Sequence, residues 1–240
     1  MNLIVEIGNT ALKAAWVEGM TLGKTFRYQG ERKTDFIRGI VEKEKPDVLT
    51  VSSVYEISSS DEKILSSLCG RLLILDSAHP DIKSSYGLPA YLSYDRTAAL
   101  IAVRSLFKGK PCTVFDFGTT LSVDFIAEDG TYEGGNISLG CRTRFKSINR
   151  YSKSLPIVDT PEDIQPAGTS LQSSIESGII SGIMFEIQGY ITAKPANTVV
   201  FTGGDANYFV KKTKNSIFVV CNLVMMGLAL ITDEYVRKTA

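Results

Sequence analysis

The amino-acid sequence predicts an α/β protein built from two related halves, and three observations carry that expectation. An apolar strand over residues 114–126 breaks at Asp116-Phe117-Gly118-Thr119-Thr120 and then resumes. The same order of acid, glycine and hydroxyl recurs at Glu6-Ile7-Gly8-Asn9-Thr10. Between the two, apolar runs and amphipathic stretches alternate in the order βββαβαβ, a plan that restarts after the second loop. Paired β-turn-β loops of this kind suggest two halves facing one nucleotide.

Each element has its own local reason. Residues 3–7 form a short apolar strand and residues 12–17 a second, interrupted by Lys13, so the Gly8-Asn9-Thr10 turn closes a hairpin. A third strand is expected over 25–28. Residues 31–45 are charged, with Phe36, Ile37, Ile40 and Val41 at helical spacing, and Pro46 ends that helix. Residues 48–53 read as a buried strand, 61–69 as a helix with Ser60 or Asp61 as N-cap, and 71–75 as a fifth strand. Residues 76–94 contain Pro80, Gly87, Pro89 and His79 and read as an ordered loop. The helix over 95–107 is apolar on most sides and is expected to pack between lobes. Gly109-Lys110-Pro111 marks the boundary between lobes at 1–108 and 109–240.

In the second half, strands are expected at 113–117 and 121–127, followed by a turn at Glu128-Asp129-Gly130 and then Gly134-Gly135. A helix and loop occupy 142–167. The long helix over 170–191 carries Ser174, Gly178 and Gly182 on one face, where another backbone is expected to approach. A strand over 198–202 leads into Gly203-Gly204-Asp205-Ala206, and a strand at 217–220 and a helix from Leu223 complete the reading.

Composition narrows the class of function. Among 240 residues, 26 Lys and Arg balance 26 Asp and Glu, so no general attraction to nucleic acid or to an anionic membrane is expected and phosphate recognition must be local. No window approaches the ~20 uncharged apolar residues of a membrane span. The N-terminus lacks the pattern of a signal peptide, so a cytoplasmic location is expected. Cys69, Cys112, Cys141 and Cys221 form no Cys-x-x-Cys pair and read as buried thiols. Neither Gly-x-x-x-x-Gly-Lys-[Ser/Thr] nor Gly-x-Ser-x-Gly is present, and the single histidine, His79, reads as a surface residue beside Pro80.

The chemistry-bearing stretches are few. In each acid-x-Gly loop, glycine lets the backbone approach a polyphosphate, N–H groups and hydroxyls donate to its oxygens, and the acid can hold a cation or its waters. Lys13 can neutralise outer phosphates. Taken singly, each loop is also compatible with a plain hairpin turn. Ser93-Tyr94-Asp95-Arg96 places an acid and a base at the start of an apolar helix, where Asp95 can take a proton from a substrate hydroxyl while Arg96 grips the substrate. Asp95 can equally be an N-cap. Gly134-Gly135 and Gly203-Gly204 read as turns against which a base or ribose can lie. The basic and aromatic residues over 142–151 read as a solvated helix face.

Taken together, Glu-x-Gly-Asn-Thr-x-x-Lys, Tyr-Gly-x-Pro, x-x-Asp-Arg, Asp-Phe-Gly-Thr-Thr, Gly-Gly-x-Ile and Thr-Gly-Gly resemble, in order and spacing, the type III pantothenate kinases. The resemblance implies two RNase H-like lobes of the actin-like ATPase kind, with mixed sheets flanked by helices, and a homodimer. It implies transfer of phosphate from ATP to pantothenate, the first step of coenzyme A synthesis. By motif, Glu6, Ile7, Gly8, Asn9, Thr10, Ala11, Leu12 and Lys13 would form the first phosphate loop and Thr119 would contact ATP. Asp116 would bind a monovalent cation, K+ or NH4+, with Mg2+ accompanying the nucleotide. Asp95 would be the proton acceptor, and Tyr86, Ser93, Tyr94, Arg96 and Leu171 would belong to the pantothenate site.

The sequence departs from the family pattern at four places. Glu6 stands for the usual Asp, Ser93 for a glycine, Leu139 for a proline, and Leu171 for a threonine. These departures motivate a second reading, a catalytically weak or inactive relative that binds nucleotide as a regulatory factor. Transfer to another hydroxylated acceptor, or polyphosphate hydrolysis, is a third.

Overall fold

The computed structural model describes residues 1–239. These fall into two compact units, Met1–Leu106 with the stretch from Asn222 onward, and Phe107–Cys221.

The first unit holds a five-stranded mixed sheet in the order β3-β2-β1-β4-β5, formed by β1 (Asn2–Ile7), β2 (Leu12–Glu18), β3 (Thr21–Tyr28), β4 (Val48–Ser53) and β5 (Arg71–Leu75). The predicted order βββαβαβ is present, with α1 (Lys33–Val41) after β3 and α2 (Ser59–Ser67) after β4. Leu3, Ile4 and Val5 are fully buried because β1 lies in the sheet's centre, antiparallel to β2 and parallel to β4. Buried hydroxyls on β4 need partners, and Thr50 meets the hydroxyl of Thr232 at 2.7 Å. The outer strand β3 is largely exposed and carries Lys24 and Arg27, residues that discourage edge pairing.

Helix boundaries differ in detail from the sequence reading. Helix α1 is shorter than 31–45, and α2 begins earlier than 61–69. The N-cap of α2 is Ser58, whose hydroxyl accepts from the Asp61 N–H at 3.1 Å, and not Ser60 or Asp61. Ser58 alone has the extended backbone that a cap requires, which leaves Asp61 in the first turn.

Helix α3 (Tyr94–Leu106) packs within this unit against α7 (Leu223–Thr239). A Cβ at Gly227 would lie 1.8 Å from the Ala98 carbonyl oxygen, so only glycine allows the two backbones to meet there. The last helix therefore belongs with the first sheet and not with residues 109–240. Its apolar face, including Leu223, Leu228 and Ile231, is buried there.

The second unit repeats the sheet in the order β10-β9-β6-β7-β8, from β6 (Cys112–Phe117), β7 (Thr120–Ile126), β8 (Tyr132–Leu139), β9 (Thr198–Gly203) and β10 (Phe218–Val219). Its other elements are α4 (Cys141–Tyr151), α5 (Leu171–Ala193) and the five-residue α6 (Ala206–Val210), which the sequence reading lacked. Phe115, Phe201 and Phe209 are fully buried, each worth about 2 kcal/mol of apolar transfer.

Three further expectations are corrected. Gly134 and Gly135 lie inside β8, opposite Phe125 and Asp124, and not in a ligand-facing turn; Gly134 has φ +118° beside an irregularity in the pairing. Of the small residues on that face of α5, Ser174 is met by the backbone of Gly168, where a Cβ would lie 2.2 Å from Ser174 N, while Gly178 and Gly182 face open space among the described residues. Cys69, Cys112 and Cys141 are buried as expected, but Cys221 is exposed. No helix among the described residues is long and apolar enough to cross a membrane.

Candidate active site

The first loop is built by the β1–β2 hairpin. Gly8 N–H donates to the Ala11 carbonyl at 3.0 Å, closing the turn, and Asn9 and Thr10 are exposed at its tip. Glu6 and Lys13 are direct cross-strand partners, and Lys13 Nζ lies 3.2 Å from Glu6 Oε2. Burial pushes the Glu6 carboxyl up from its ordinary value, against the pull of Lys13, and Asp95 raises it further. Asp95 is thus near enough to act electrostatically on the acid of the loop. Tyr55 flanks the same turn, its hydroxyl donating to Asn9 Oδ1 at 3.0 Å.

Asp95 lies in the first turn of α3, which starts one residue before it, and its Oδ1 accepts from the Arg96 N–H at 2.8 Å. The main-chain bond that opens the helix runs instead from Thr97 N–H to the Ser93 carbonyl, at 2.9 Å. Ser93 is exposed, Asp95 half-buried, and Tyr94 and Arg96 buried. Burial raises the Tyr94 phenol to about 12. Tyr86 closes a short 3-10 turn, Lys83–Tyr86, where Gly87 takes the left-handed backbone at φ +61°.

The loop leading to this turn is anchored at its start. The buried carboxylate of Asp76 accepts from the N–H groups of Ile57, Ala78 and His79 and meets the His79 ring Nδ1 at 2.7 Å. Burial alone would raise the Asp76 carboxyl, but these bonds outweigh it and hold it below the ordinary value. His79 is accordingly a largely covered loop anchor and not the surface residue expected.

The second loop is tighter. Gly118 N–H donates to the Thr120 carbonyl at 2.9 Å, while the Thr119 carbonyl accepts from Gly140 N–H at 3.0 Å and from the Thr143 hydroxyl at 2.7 Å. Asp116 is half-buried at the end of β6, paired across the sheet with Ser122 and Thr202. Gly203, at φ +91°, lies so close that a Cβ there would stand 2.5 Å from Asp116 Oδ1. Burial raises the carboxyl of Asp205, which the sequence reading gave no role, and Arg142 opposes that shift. Its place after Gly203-Gly204 was the available signal. Leu171 is exposed at the first turn of α5, behind a capping box of Ser170 and Ser173.

The structure therefore gathers Glu6, Lys13, Tyr86 and residues 93–96 in the first unit, and Asp116, Thr119 and Leu171 in the second. Among the described residues no three His, Cys, Asp or Glu side chains form a metal cluster. A carboxylate such as that of Asp116 is a ligand type that hard cations accept.

A profile of the type III pantothenate kinase family matches residues 2–193. The chain belongs to that family. A type III pantothenate kinase from Cytophaga hutchinsonii is 34% identical over 97% of this chain and 99% of its own length. Another, from Phocaeicola vulgatus, is 35% identical over 95% and 96%. Among solved structures, the activator of 2-hydroxyisocaproyl-CoA dehydratase from Clostridium difficile, with bound ADPNP, aligns at TM-score 0.59 and 12% identity over 99% of this chain and 96% of that one. ROK hexokinase from Thermus thermophilus aligns at TM-score 0.52 and 13% identity, covering 95% and 96%. This pantothenate kinase family member thus has the α/β fold of the actin-like sugar kinases and ATPases, as expected from its sequence.

Proposed function

We propose that residues 6–13, Asp95 and the 116–120 loop perform ATP-dependent phosphorylation of pantothenate to 4′-phosphopantothenate, the first step of coenzyme A biosynthesis. Family membership makes the chain a phosphotransferase with an alcohol acceptor. The supporting observation is that every residue given a role, from Glu6 to Leu171, lies inside the matched range of 2–193.

In this reading Asp95 takes the proton of the pantothenate hydroxyl as its oxygen attacks the γ-phosphorus. The bond from that phosphorus to the bridging oxygen breaks, and ADP leaves. In the first unit, the N–H groups of the 6–13 loop and Lys13 receive phosphate oxygens, and Tyr86, Ser93, Tyr94 and Arg96 bind the acceptor; in the second unit, Thr119 contacts ATP and Leu171 contacts pantothenate. Magnesium bound with ATP, and K+ or NH4+ at Asp116, supply charge neutralisation. Lys13 serves twice, since it also offsets the buried charge of Glu6.

A coupled ADP-release assay with purified protein, ATP, magnesium and potassium tests the reading. Turnover that depends on pantothenate is expected, and its absence overturns the proposal. A cytoplasmic homodimer completes it. Phe185 on α5 is exposed at 75%, a large apolar side chain that a partner subunit would cover. Light scattering is expected to give twice the mass of the chain, and Phe185→Glu to give the single mass.

A further inference from the structure

Tyr86 is held from two helices at once. Its carbonyl accepts from Arg104 Nη1, on α3, at 2.6 Å. Its hydroxyl donates to Glu234 Oε2, on α7, a residue that lies beyond the family match of 2–193. The other oxygen of Glu234 is paired with Lys238 one turn further along the same helix. The spacing of the two helices is set where Gly227 meets the Ala98 carbonyl, so Arg104 and Glu234 are carried on elements whose separation is defined. Gly87, in the left-handed conformation, then turns the chain away immediately after Tyr86.

This arrangement has a directional consequence. A phenol has one proton to donate and lone pairs with which to accept. Burial, and then the neighbouring Glu234 carboxylate, push the Tyr86 phenol well above its ordinary value, so it stays protonated. The carboxylate itself is held below its ordinary value, first by Lys238 and then by Tyr86, so it stays charged and remains an acceptor. The single phenolic proton is therefore committed to Glu234, and what Tyr86 has left is acceptor capacity.

We propose that Glu234 is a positioning residue of the acceptor-substrate site, fixing the Tyr86 ring and making its oxygen accept from an N–H or O–H of the substrate rather than donate to a carboxylate. The proposal rests on the reading that Tyr86 lines the pantothenate site. It assigns the C-terminal helix a part in substrate recognition that the matched range does not include.

Steady-state kinetics on the full chain tests it. Glu234→Ala is expected to raise KM for pantothenate about 10-fold, the scale of one hydrogen bond to a charged group. KM for ATP should stay at its wild-type value, because the partners of Glu234, Tyr86 and Lys238, lie outside the 6–13 loop. Glu234→Gln keeps an acceptor oxygen without the charge and should give an intermediate rise of about 3-fold. Tyr86→Phe should raise KM for pantothenate comparably, and adding Glu234→Ala to it should change nothing more.

A wild-type KM for pantothenate in Glu234→Ala, equal rises in both KM values, or effects that multiply in the double variant would overturn the inference. If the alanine variant does not fold, Glu234→Gln decides alone, with a wild-type KM overturning it. Wild-type protein that shows no pantothenate-dependent turnover overturns the functional reading itself, a separate and recognisable failure.

Discussion

The two acid-x-Gly loops occupy the same station in two sheets of the same order, yet they are built differently. In both, the acid is the penultimate residue of a strand with a hairpin partner on one side and a parallel strand on the other. Opposite Glu6 stands Lys13, whereas opposite Asp116 stands Ser122. The first turn runs from Gly8 to Ala11 with an exposed tip, while the second closes from Gly118 to Thr120 and is pinned from outside by Gly140 and Thr143. The Glu6 carboxylate is partly compensated by Lys13, and in the proposed function that loop presents N–H groups and a cation to phosphate. In the proposed function, Asp116 takes the monovalent cation. Position in the fold is shared, and the cross-strand partners differ.

The comparison is broken most severely at the residue that serves only the first loop's side. Asp95→Asn should lower kcat about 10³-fold, the usual contribution of a positioned general base, with the melting temperature unchanged. Activity near wild type would remove Asp95 from that role. Next in size is Gly140→Ala, which places a Cβ 2.0 Å from the Gly118 carbonyl oxygen. Overpacking of this kind costs about 1–3 kcal/mol, readable in thermal unfolding, and KM for ATP should rise with it. No comparable effect is expected from alanine at Gly178, around which the described residues leave open space.

Lys13→Ala sharpens the contrast at the first loop. Removing one partner of a fully buried pair costs 3–5 kcal/mol, and the partial exposure of Glu6 and Lys13, 14% and 45%, reduces the expectation to about 1–2 kcal/mol at neutral pH. The sign with pH follows from a carboxyl whose folded value is raised. The folded state then holds the proton more tightly, so its contribution is fully present below the ordinary value of 4.5 and is lost as pH rises through the raised value. Without Lys13 the raised value moves further up, and the loss between pH 5 and 7.5 should grow. Melting temperatures measured across that range check it; an unchanged pH dependence would mean that Glu6 is solvated in solution.

The fold was largely legible because strands with period-two or continuous apolar runs are local signals. The order of the first five strands, the buried run at 48–53 and the long helix from Leu171 all follow from periodicity and turn residues. Helix ends were less legible, since Ser58, Ser60 and Asp61 are all competent caps and backbone conformation chooses among them. The short α6 lies inside a segment whose glycine pair read as a turn.

What the sequence determined by itself was the pair of loops, the helix that begins at Tyr94-Asp95-Arg96 and the family they resemble, because each is a contiguous run of residues with its own backbone logic. Only the tertiary structure decided which groups stand opposite the acids, that α7 packs against α3 rather than within the second unit, and that Glu234 reaches Tyr86. Such contacts join residues far apart in the chain, and they depend on helix packing at points like Gly227, where one missing side chain sets the distance.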